Sequence, residues 1–369
     1  MKKKLIICIP SLRLGGAAKI ALNITEYFLQ ENVAVTILLT HSSAGDAGFK
    51  DIPAATRLIF LPQREMNFVF KAVYKANWLK NFFKAEQPDA VLAVRHDATV
   101  VAALGWKLAL KPGKFFIREI NPITRTLHRK KIMIWLLRSA YASATAVIAN
   151  SKDVAAALIS KNWLPGTRIH VVDNPVLSTN FFDKAAQANT YLAKAPGIPL
   201  LISIGRLEPM KDFATLIRAF KLVKEQIPCE LVIIGEGTTR LMLEELIDSL
   251  NLRSYVRLPG AMENPYPVLK DSNLFVLSSK YEGFGNVIVE ALALGIPVVA
   301  TDCAGGPAYI LNQGKFGKLV PVADVQRLAD GIVQSLNKPA ESDRLRRRAM
   351  DFSVATVGKI YNRIMFTDQ

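Results

Sequence analysis

The stretch Ser278-Ser-Lys-Tyr-Glu-Gly-Phe-Gly-Asn-Val-Ile-Val-Glu-Ala-Leu-Ala-Leu-Gly-Ile-Pro-Val-Val-Ala-Thr-Asp302 decides the fold. The apolar run 274–277 before it reads as a buried strand, and 287–294 as a helix packed on that strand, so Gly283, Phe284, Gly285 and Asn286 form the turn between them. Such a turn leaves the backbone N–H groups of Asn286, Val287 and Ile288 open at a helix N-terminus, where the helix dipole favours a phosphate. Glu290, about one turn further in, can accept hydrogen bonds from a ribose diol, as acidic residues do in dinucleotide folds. Glu282, on the loop side, can hold sugar hydroxyls. Taken alone, a glycine-rich turn is read equally well as a shaped corner with two solvated glutamates.

A second stretch narrows the choice. Leu200-Leu-Ile-Ser-Ile-Gly-Arg-Leu-Glu-Pro-Met-Lys-Asp-Phe-Ala-Thr-Leu-Ile-Arg-Ala-Phe220 is again strand, turn and helix, and its turn carries Gly205, Arg206 and Lys211. Both cations follow the C-terminal end of a strand, where open α/β sheets bind ligands. Arg206 can fork onto a diphosphate and Lys211 can add a compact charge, although either one singly also suits a solvated surface.

Working outward, apolar strands alternate with helical patterns. The first set lies at 5–10, 34–40, 90–94, 114–117 and 146–150, with a helix over 17–29 after the first strand. The order restarts after 185–198, which lacks a strong period and reads as a linker, with strands at 200–204, 230–234, 256–258, 274–277, 297–300 and 317–320. The alternation predicts an α/β protein with two parallel sheets, each covered by helices on both faces. The expected division is therefore a first domain over 1–184 and a second over 199–351.

At 369 residues and 50% apolar composition the chain can bury a core in each domain. Cys8, Cys229 and Cys303 are too few and too scattered for a disulfide framework or a zinc site, which suits a reducing cytoplasm. The basic start at Lys2-Lys-Lys4 is followed by a short apolar run holding Pro10 and leading to Arg13, so it reads as a first strand rather than a signal peptide. The apolar stretch 132–149 is interrupted by Arg138 and small polar residues, and no transmembrane helix is expected. No aspartate-rich motif or histidine cluster is present, so no metal is expected.

The net charge of +16 is unevenly spread: residues 1–196 hold 27 Lys and Arg against 12 Asp and Glu, whereas 197–369 hold 20 against 19. A one-sided potential attracts an anionic partner. Nucleic acid is not expected, because no zinc-finger, homeodomain or RRM signature is present. An anionic membrane fits better: in 64–84, read as a helix, Lys71, Lys75, Trp78 and Phe82 share a stripe suited to a headgroup interface, with Lys80 and Lys84 on another side. The same residues also suit a half-buried helix of the first domain. A second patch is 127–138, Leu-His-Arg-Lys-Lys-Ile-Met-Ile-Trp-Leu-Leu-Arg. Cleft candidates in the first domain are Gly15 and Gly16 after the first strand, His96 and Asp97 after 90–94, and Arg118 and Glu119 after 115–117; each set also has a purely structural reading.

Together the segments from Gly205-Arg206 to Lys211-Asp212, the Glu282 and Glu290 pair, and Gly295-Ile-Pro-Val-Val-Ala-Thr-Asp302 resemble the retaining glycosyltransferases of family GT4. The first half resembles the family more loosely, through Leu14-Gly-Gly-Ala-Ala-Lys19, Ala149-Asn-Ser-Lys152 and Val171-Val-Asp-Asn-Pro175. The likeness is greatest to bacterial enzymes that build lipopolysaccharide cores, surface polysaccharides and lipid-linked oligosaccharides. It implies the GT-B fold, two Rossmann-like domains facing a central cleft, with a C-terminal helix, about 352–369, crossing back to an acceptor-binding first domain. It also implies a nucleotide-sugar donor, most often UDP-linked, and a lipid-linked or polysaccharide acceptor.

By the same resemblance, Arg206 and Lys211 would grip the diphosphate, Glu290 the ribose and Glu282 the transferred sugar, with no cofactor or metal and with peripheral attachment to the inner face of the cytoplasmic membrane. The backbone around Phe284 to Val287 would help. Ala18 and Tyr309 depart from the family pattern, which usually has a glutamate at each. Two other readings stay open: a nucleotide-sugar hydrolase or epimerase of the same fold, and a non-enzymatic binder of anionic polymer or membrane.

Overall fold

The computed structural model describes residues 2–12, 15–41, 52–62, 68–120, 131–190, 197–338 and 341–367, without the side chains of 68–72 and 131. The chain divides into two compact units, one of residues 1–178 with 353–369 and the other of 179–352.

In the first unit the order is β1 (Lys4–Ile9), α1 (Gly16–Gln30), β2 (Ala34–Leu39), β3 (Arg57–Phe60), α2 (Phe68–Glu86), β4 (Ala90–Val94), α3 (His96–Leu108), β5 (Lys114–Glu119), α4 (Lys131–Ser143), β6 (Ala146–Ala149), α5 (Lys152–Ile159) and β7 (Ile169–Val171). The seven strands are all parallel and lie in the order β3-β2-β1-β4-β5-β6-β7. The central strands are buried almost throughout, because helices cover both faces of a parallel sheet; that is why they read as unbroken apolar runs.

The second unit begins at 179 with α6 (Phe181–Ala186), so residues 179–184, expected in the first domain, belong to the second, and the helix ends inside the stretch read as a linker, whose residues 191–196 lie outside the described ones. It continues with β8 (Leu200–Ile204), α7 (Phe213–Lys224), β9 (Glu230–Ile234), α8 (Arg240–Ser249), β10 (Val256–Gly260), α9 (Tyr266–Asp271), β11 (Leu274–Leu277), α10 (Asn286–Ala293), β12 (Val298–Thr301), α11 (Pro307–Ile310), β13 (Lys318–Val320), α12 (Val325–Leu336) and α13 (Ser342–Met350). Its six parallel strands run β10-β9-β8-β11-β12-β13.

In both units the sheet grows first to one side and then to the other. The strand order therefore reverses between β1 and β4 in the first unit and between β8 and β11 in the second. At such a switch point the connections leave the strand ends in opposite directions and open a crevice. The expected α/β fold with two parallel sheets is what the chain adopts, and most strands fall within one or two residues of their expected places. β3 and β7 were not expected. They are the two edges of the first sheet, short and part-exposed; β7, Ile-His-Val, lacks an apolar run, whereas β3 carries Leu58-Ile-Phe60 and was passed over.

The last helix, α14 (Val354–Phe366), belongs to the first unit. It begins where Val354 N–H donates to the Leu177 carbonyl at 3.0 Å, and Ser353 caps it by accepting from Thr356 N–H at 3.2 Å. It packs on α1 so closely that a Cβ on Gly358 would come within 2.2 Å of the Tyr27 ring. Gly358→Ala should therefore destabilise the first unit by about 1–3 kcal/mol through overpacking, even though alanine is the better helix former. A melting temperature equal to or above that of the wild type in thermal unfolding would show that this contact does not set the packing of α14.

Candidate functional site

Strands β8 and β11 flank the switch point of the second unit, and their C-terminal ends carry the residues singled out from sequence. Gly205 N–H extends the sheet by donating to the Ile234 carbonyl at 3.0 Å, and Arg206 beside it is exposed, with no ion pair among the described residues. The chain then makes a single 3-10 turn, Pro209–Lys211, and Asp212 adopts a left-handed conformation at φ 47° to start α7. Thr215 Oγ donates to the Asp212 carboxylate at 2.8 Å, fixing that corner.

Three hydrogen bonds tie this loop to the one after β11 and that loop to β12. Lys280 N–H donates to the Met210 carbonyl at 2.8 Å, Ser278 Oγ to the Lys211 carbonyl at 2.8 Å, and Thr301 Oγ1 to the Ser279 carbonyl at 2.6 Å. The fastening brings Lys211 and Glu282 together, 71 residues apart in sequence, with Nζ 2.6 Å from Oε1. The side chains are only 16% and 8% exposed, so the pair is nearly buried. Ser279 Oγ donates to the same Oε1 at 2.6 Å, and Oε2 carries no bond among the described residues. Lys211 keeps donors beyond the one spent on Glu282, since an ammonium has three.

The turn that follows is pressed against a neighbour. Glycine is required at Gly305 and Gly306, because a Cβ there would meet the Glu282 carbonyl oxygen at 1.9 Å and the Phe284 carbonyl oxygen at 1.7 Å. Helix α10 starts from Gly285 at φ 95° with no acidic side chain in its first turn. Ile288 N–H, expected to be open, donates to the Gly285 carbonyl at 2.9 Å. The reason is that Gly285 is the capping residue, so the helix begins one residue earlier than the sequence pattern placed it. Glu290 is buried at 5% exposure and accepts from Tyr266 Oη at 3.3 Å. Cys303, buried in the adjoining loop, has its pKa pushed up to about 11 by burial and by the Glu282 charge, so it remains a neutral thiol.

In the first unit Gly15 and Gly16 are exposed at the start of α1, after the C-terminal end of β1. His96 and Asp97 open α3, after β4. Asp97 is exposed and faces Arg95 at 3.5 Å, whereas the His96 side chain is only 11% exposed and its Nδ1 lies 3.2 Å from Glu119 Oε2. Arg118 and Glu119, expected as cleft candidates, are both buried at 1% exposure and point to opposite faces of β5. Glu119 accepts from Tyr141 Oη of α4 and approaches His96. Arg118 donates to Tyr361 Oη of α14 at 2.7 Å and to Asn174 Oδ1. They are anchors beneath the strand ends rather than exposed groups, a difference that strand position alone could not signal. Asn174 lies in the segment Val171-Val-Asp-Asn-Pro175 that carries part of the resemblance, but without a role assigned to it; Tyr141 and Tyr361 went unremarked because a single tyrosine has no motif.

The environment of His96 is set by opposing effects. Burial disfavours the imidazolium, but the Glu119 carboxylate, helped by Asp97, outweighs burial and the nearby Arg95, and the pKa ends above the ordinary histidine value. Among the described residues no group of three or more His, Cys, Asp or Glu is arranged to hold a metal ion.

Comparison with known proteins follows the same division. A family model described as glycosyl transferases group 1 matches residues 191–352. Another, described as glycosyltransferase family 4, matches residues 14–177. The chain is 28% identical over 357 residues to the lipopolysaccharide core biosynthesis glycosyltransferase LpsE of Rhizobium meliloti, covering 96% of this chain and 94% of that one. It is 32% identical over 217 residues to the N-acetylgalactosamine-N,N'-diacetylbacillosaminyl-diphospho-undecaprenol 4-alpha-N-acetylgalactosaminyltransferase of Campylobacter jejuni, covering 59% of this chain and only 56% of that relative. The crystal structure of Anabaena HepE in complex with UDP and glucose superposes with a TM-score of 0.77 at 20% identity, over 98% of each chain.

Two predictions come from this geometry. Lys211→Met should cost about 3 kcal/mol, the low end for a broken buried pair because Ser279 still donates to Glu282, and adding Glu282→Gln should recover at least half of it. Strictly additive losses in a double-mutant cycle of denaturant unfolding would mean that the two charges are not coupled. For His96, a raised folded-state pKa contributes stability that is fully present below the unfolded pKa near 6.5 and is lost as pH rises through the folded value. The stability gap between wild type and Glu119→Gln should accordingly be widest near about pH 6 and narrower at about pH 9; a gap independent of pH would remove the charge coupling.

Proposed function

Because the chain belongs to the family 4 glycosyltransferases, with a GT-B fold of two Rossmann-like units, we propose that it is a retaining hexosyltransferase. In this reading it moves a sugar from a UDP-linked donor to a lipid-linked or polysaccharide acceptor in bacterial cell-surface glycan assembly. The observation that carries the proposal is the nearly buried Lys211–Glu282 pair at the switch point of the second sheet. An ammonium held against a carboxylate at strand ends is poised to share its remaining donors with a second anion, and the neighbouring exposed Arg206 adds a fork suited to a diphosphate.

The roles then divide by position. Arg206 and Lys211 take the charge that develops on the leaving diphosphate, supported by the backbone from Gly283 to Val287 at the head of α10. Glu282 offers Oε2 to hydroxyls of the transferred sugar, while Glu290 holds the ribose. The proposed chemistry needs no metal, because the two cations and the helix N-terminus supply the positive potential. Departure of the nucleoside diphosphate and attack by the acceptor hydroxyl occur on the same face of the sugar, which retains the anomeric configuration. In the first unit the acceptor side falls to Gly15, Gly16, His96 and Asp97, with Arg118 and Glu119 acting beneath them. A lipid-linked acceptor also calls for peripheral contact with the anionic inner face of the membrane.

Transfer from a panel of nucleotide sugars, measured with and without lipid-linked acceptor, tests the reading; donor consumption that ignores acceptor would make the chain a hydrolase or epimerase instead. Arg206→Ala should fold normally and lose about thirtyfold to a thousandfold in turnover, corresponding to roughly 2–4 kcal/mol of transition-state stabilisation. Glu290→Gln should weaken binding of bare nucleoside diphosphate, whereas Glu282→Gln should affect the sugar donor more than that product. Wild-type turnover in Arg206→Ala, or complete loss of wild-type activity in a chelator, would refute the assigned chemistry.

A further inference from the structure

Three residues of the stripe read as a headgroup interface, Lys75, Trp78 and Phe82, take the other reading offered for them, that of a half-buried helix of the first unit. In α2, Lys75 is buried at 5% exposure and donates to the Thr40 carbonyl at 3.0 Å, and Trp78 and Phe82 stack at 5.2 Å while packing against the first core. Residues 64–67 of that stretch and the side chain of Lys71 lie outside the described ones. Lys75, Trp78 and Phe82 lie on the inward face of the helix, because the aromatics complete the core that α2 shares with α3.

Helix α4 presents the opposite case. It buries Leu137, Ala140 and Tyr141, as a surface helix should, yet its outward face is also apolar: Ile132 is 76% and Trp135 67% exposed. With Arg138, also exposed, they recur at three-residue spacing along one side. A helix apolar all round is normally covered on every side, so this outer face lacks the cover its composition asks for. The setting is cationic: Lys107, at the end of α3, donates to the Ser139 carbonyl at 2.8 Å, and exposed Leu110 and Lys111 follow it. Residues 1–196 as a whole carry 27 basic against 12 acidic side chains. Among the described residues no helix is long and apolar enough to cross a membrane. An exposed tryptophan and isoleucine with flanking cations matches the boundary between headgroups and acyl chains, where an indole ring sits well and anionic lipid meets the basic charge.

We propose that the outward face of α4, through Ile132, Trp135 and Arg138, is the surface by which this protein docks on an anionic lipid bilayer. The proposal deepens the reading of a lipid-linked acceptor, but its test needs neither donor nor acceptor.

The full chain is sedimented with vesicles of phosphatidylcholine alone or containing phosphatidylglycerol, at low and high salt. Wild type should bind the anionic vesicles, less so in high salt, and Ile132→Ser with Trp135→Ser should weaken that binding about tenfold or more. Brominated acyl chains should quench wild-type tryptophan fluorescence but leave the residual emission of Trp135→Ser unchanged, whereas Arg138→Gln should blunt the salt dependence. Equal binding to both vesicle types, or unaltered binding by the double variant, would overturn the proposal. Self-association of wild type that the double variant abolishes would overturn it in favour of a second copy. Donor turnover in solution is the independent control: its absence in wild type refutes the transferase reading and leaves the vesicle result standing.

Discussion

A parallel sheet covered by helices on both faces has no place for charge except at its ends. In both units the interior strands are buried nearly throughout, so polar groups collect where strands stop. The reversal of strand order then selects which ends face an open crevice. Arg206, Lys211 and Glu282 follow β8 and β11, while Gly15 and His96 follow β1 and β4; their positions are consequences of topology before they are consequences of chemistry.

Within that frame the second unit is the more rigidly specified. Its two site loops are joined through the backbone of Met210 and Lys211, and the turn before α10 is held by close approach of Gly305 and Gly306 to its carbonyls. Rigidity of this sort matters for Glu282, because a carboxylate kept at 8% exposure depends on Lys211 and Ser279 staying within reach. The first unit invests instead in buried polar anchors: Glu119 with Tyr141 and His96 on one face of β5, and Arg118 with Asn174 and Tyr361 on the other.

The sequence made legible what depends on local pattern. Apolar runs alternating with helical patterns placed the inner strands, and the two strand-turn-helix segments placed Lys211 and Glu282 at strand ends, though not their pairing, which depends on contacts across 71 residues. Edge strand β7 escaped because Ile-His-Val is too short to show a pattern, and β3 escaped although Leu58-Ile-Phe60 is apolar. The burial of Arg118 and Glu119 was hidden for a related reason: a charged residue after an apolar run looks exposed until its distant partners are known. Of the two readings open for α2, the half-buried helix holds for Lys75, Trp78 and Phe82; aromatic and basic residues on one stripe can face inward when a lysine finds a carbonyl, as Lys75 does. Residues 127–130 of the second basic patch and the side chain of Lys131 lie outside the described residues, and its remainder, 132–138, lies in α4.

The membership of α14 in the first unit has a temporal side. The second unit is continuous over 179–352, so a ribosome has released every one of its residues before the first unit is complete. Until residue 361 emerges, Arg118 has no Tyr361 to bond and the side of α1 around Tyr27 has no Gly358 against it. A chain that stopped before residue 354 would thus hold one finished unit and one with a buried guanidinium short of a partner and an apolar helix face open to solvent. During synthesis the usual vectorial order is inverted: the half that starts first closes only after the second unit's residues 179–352 have been made.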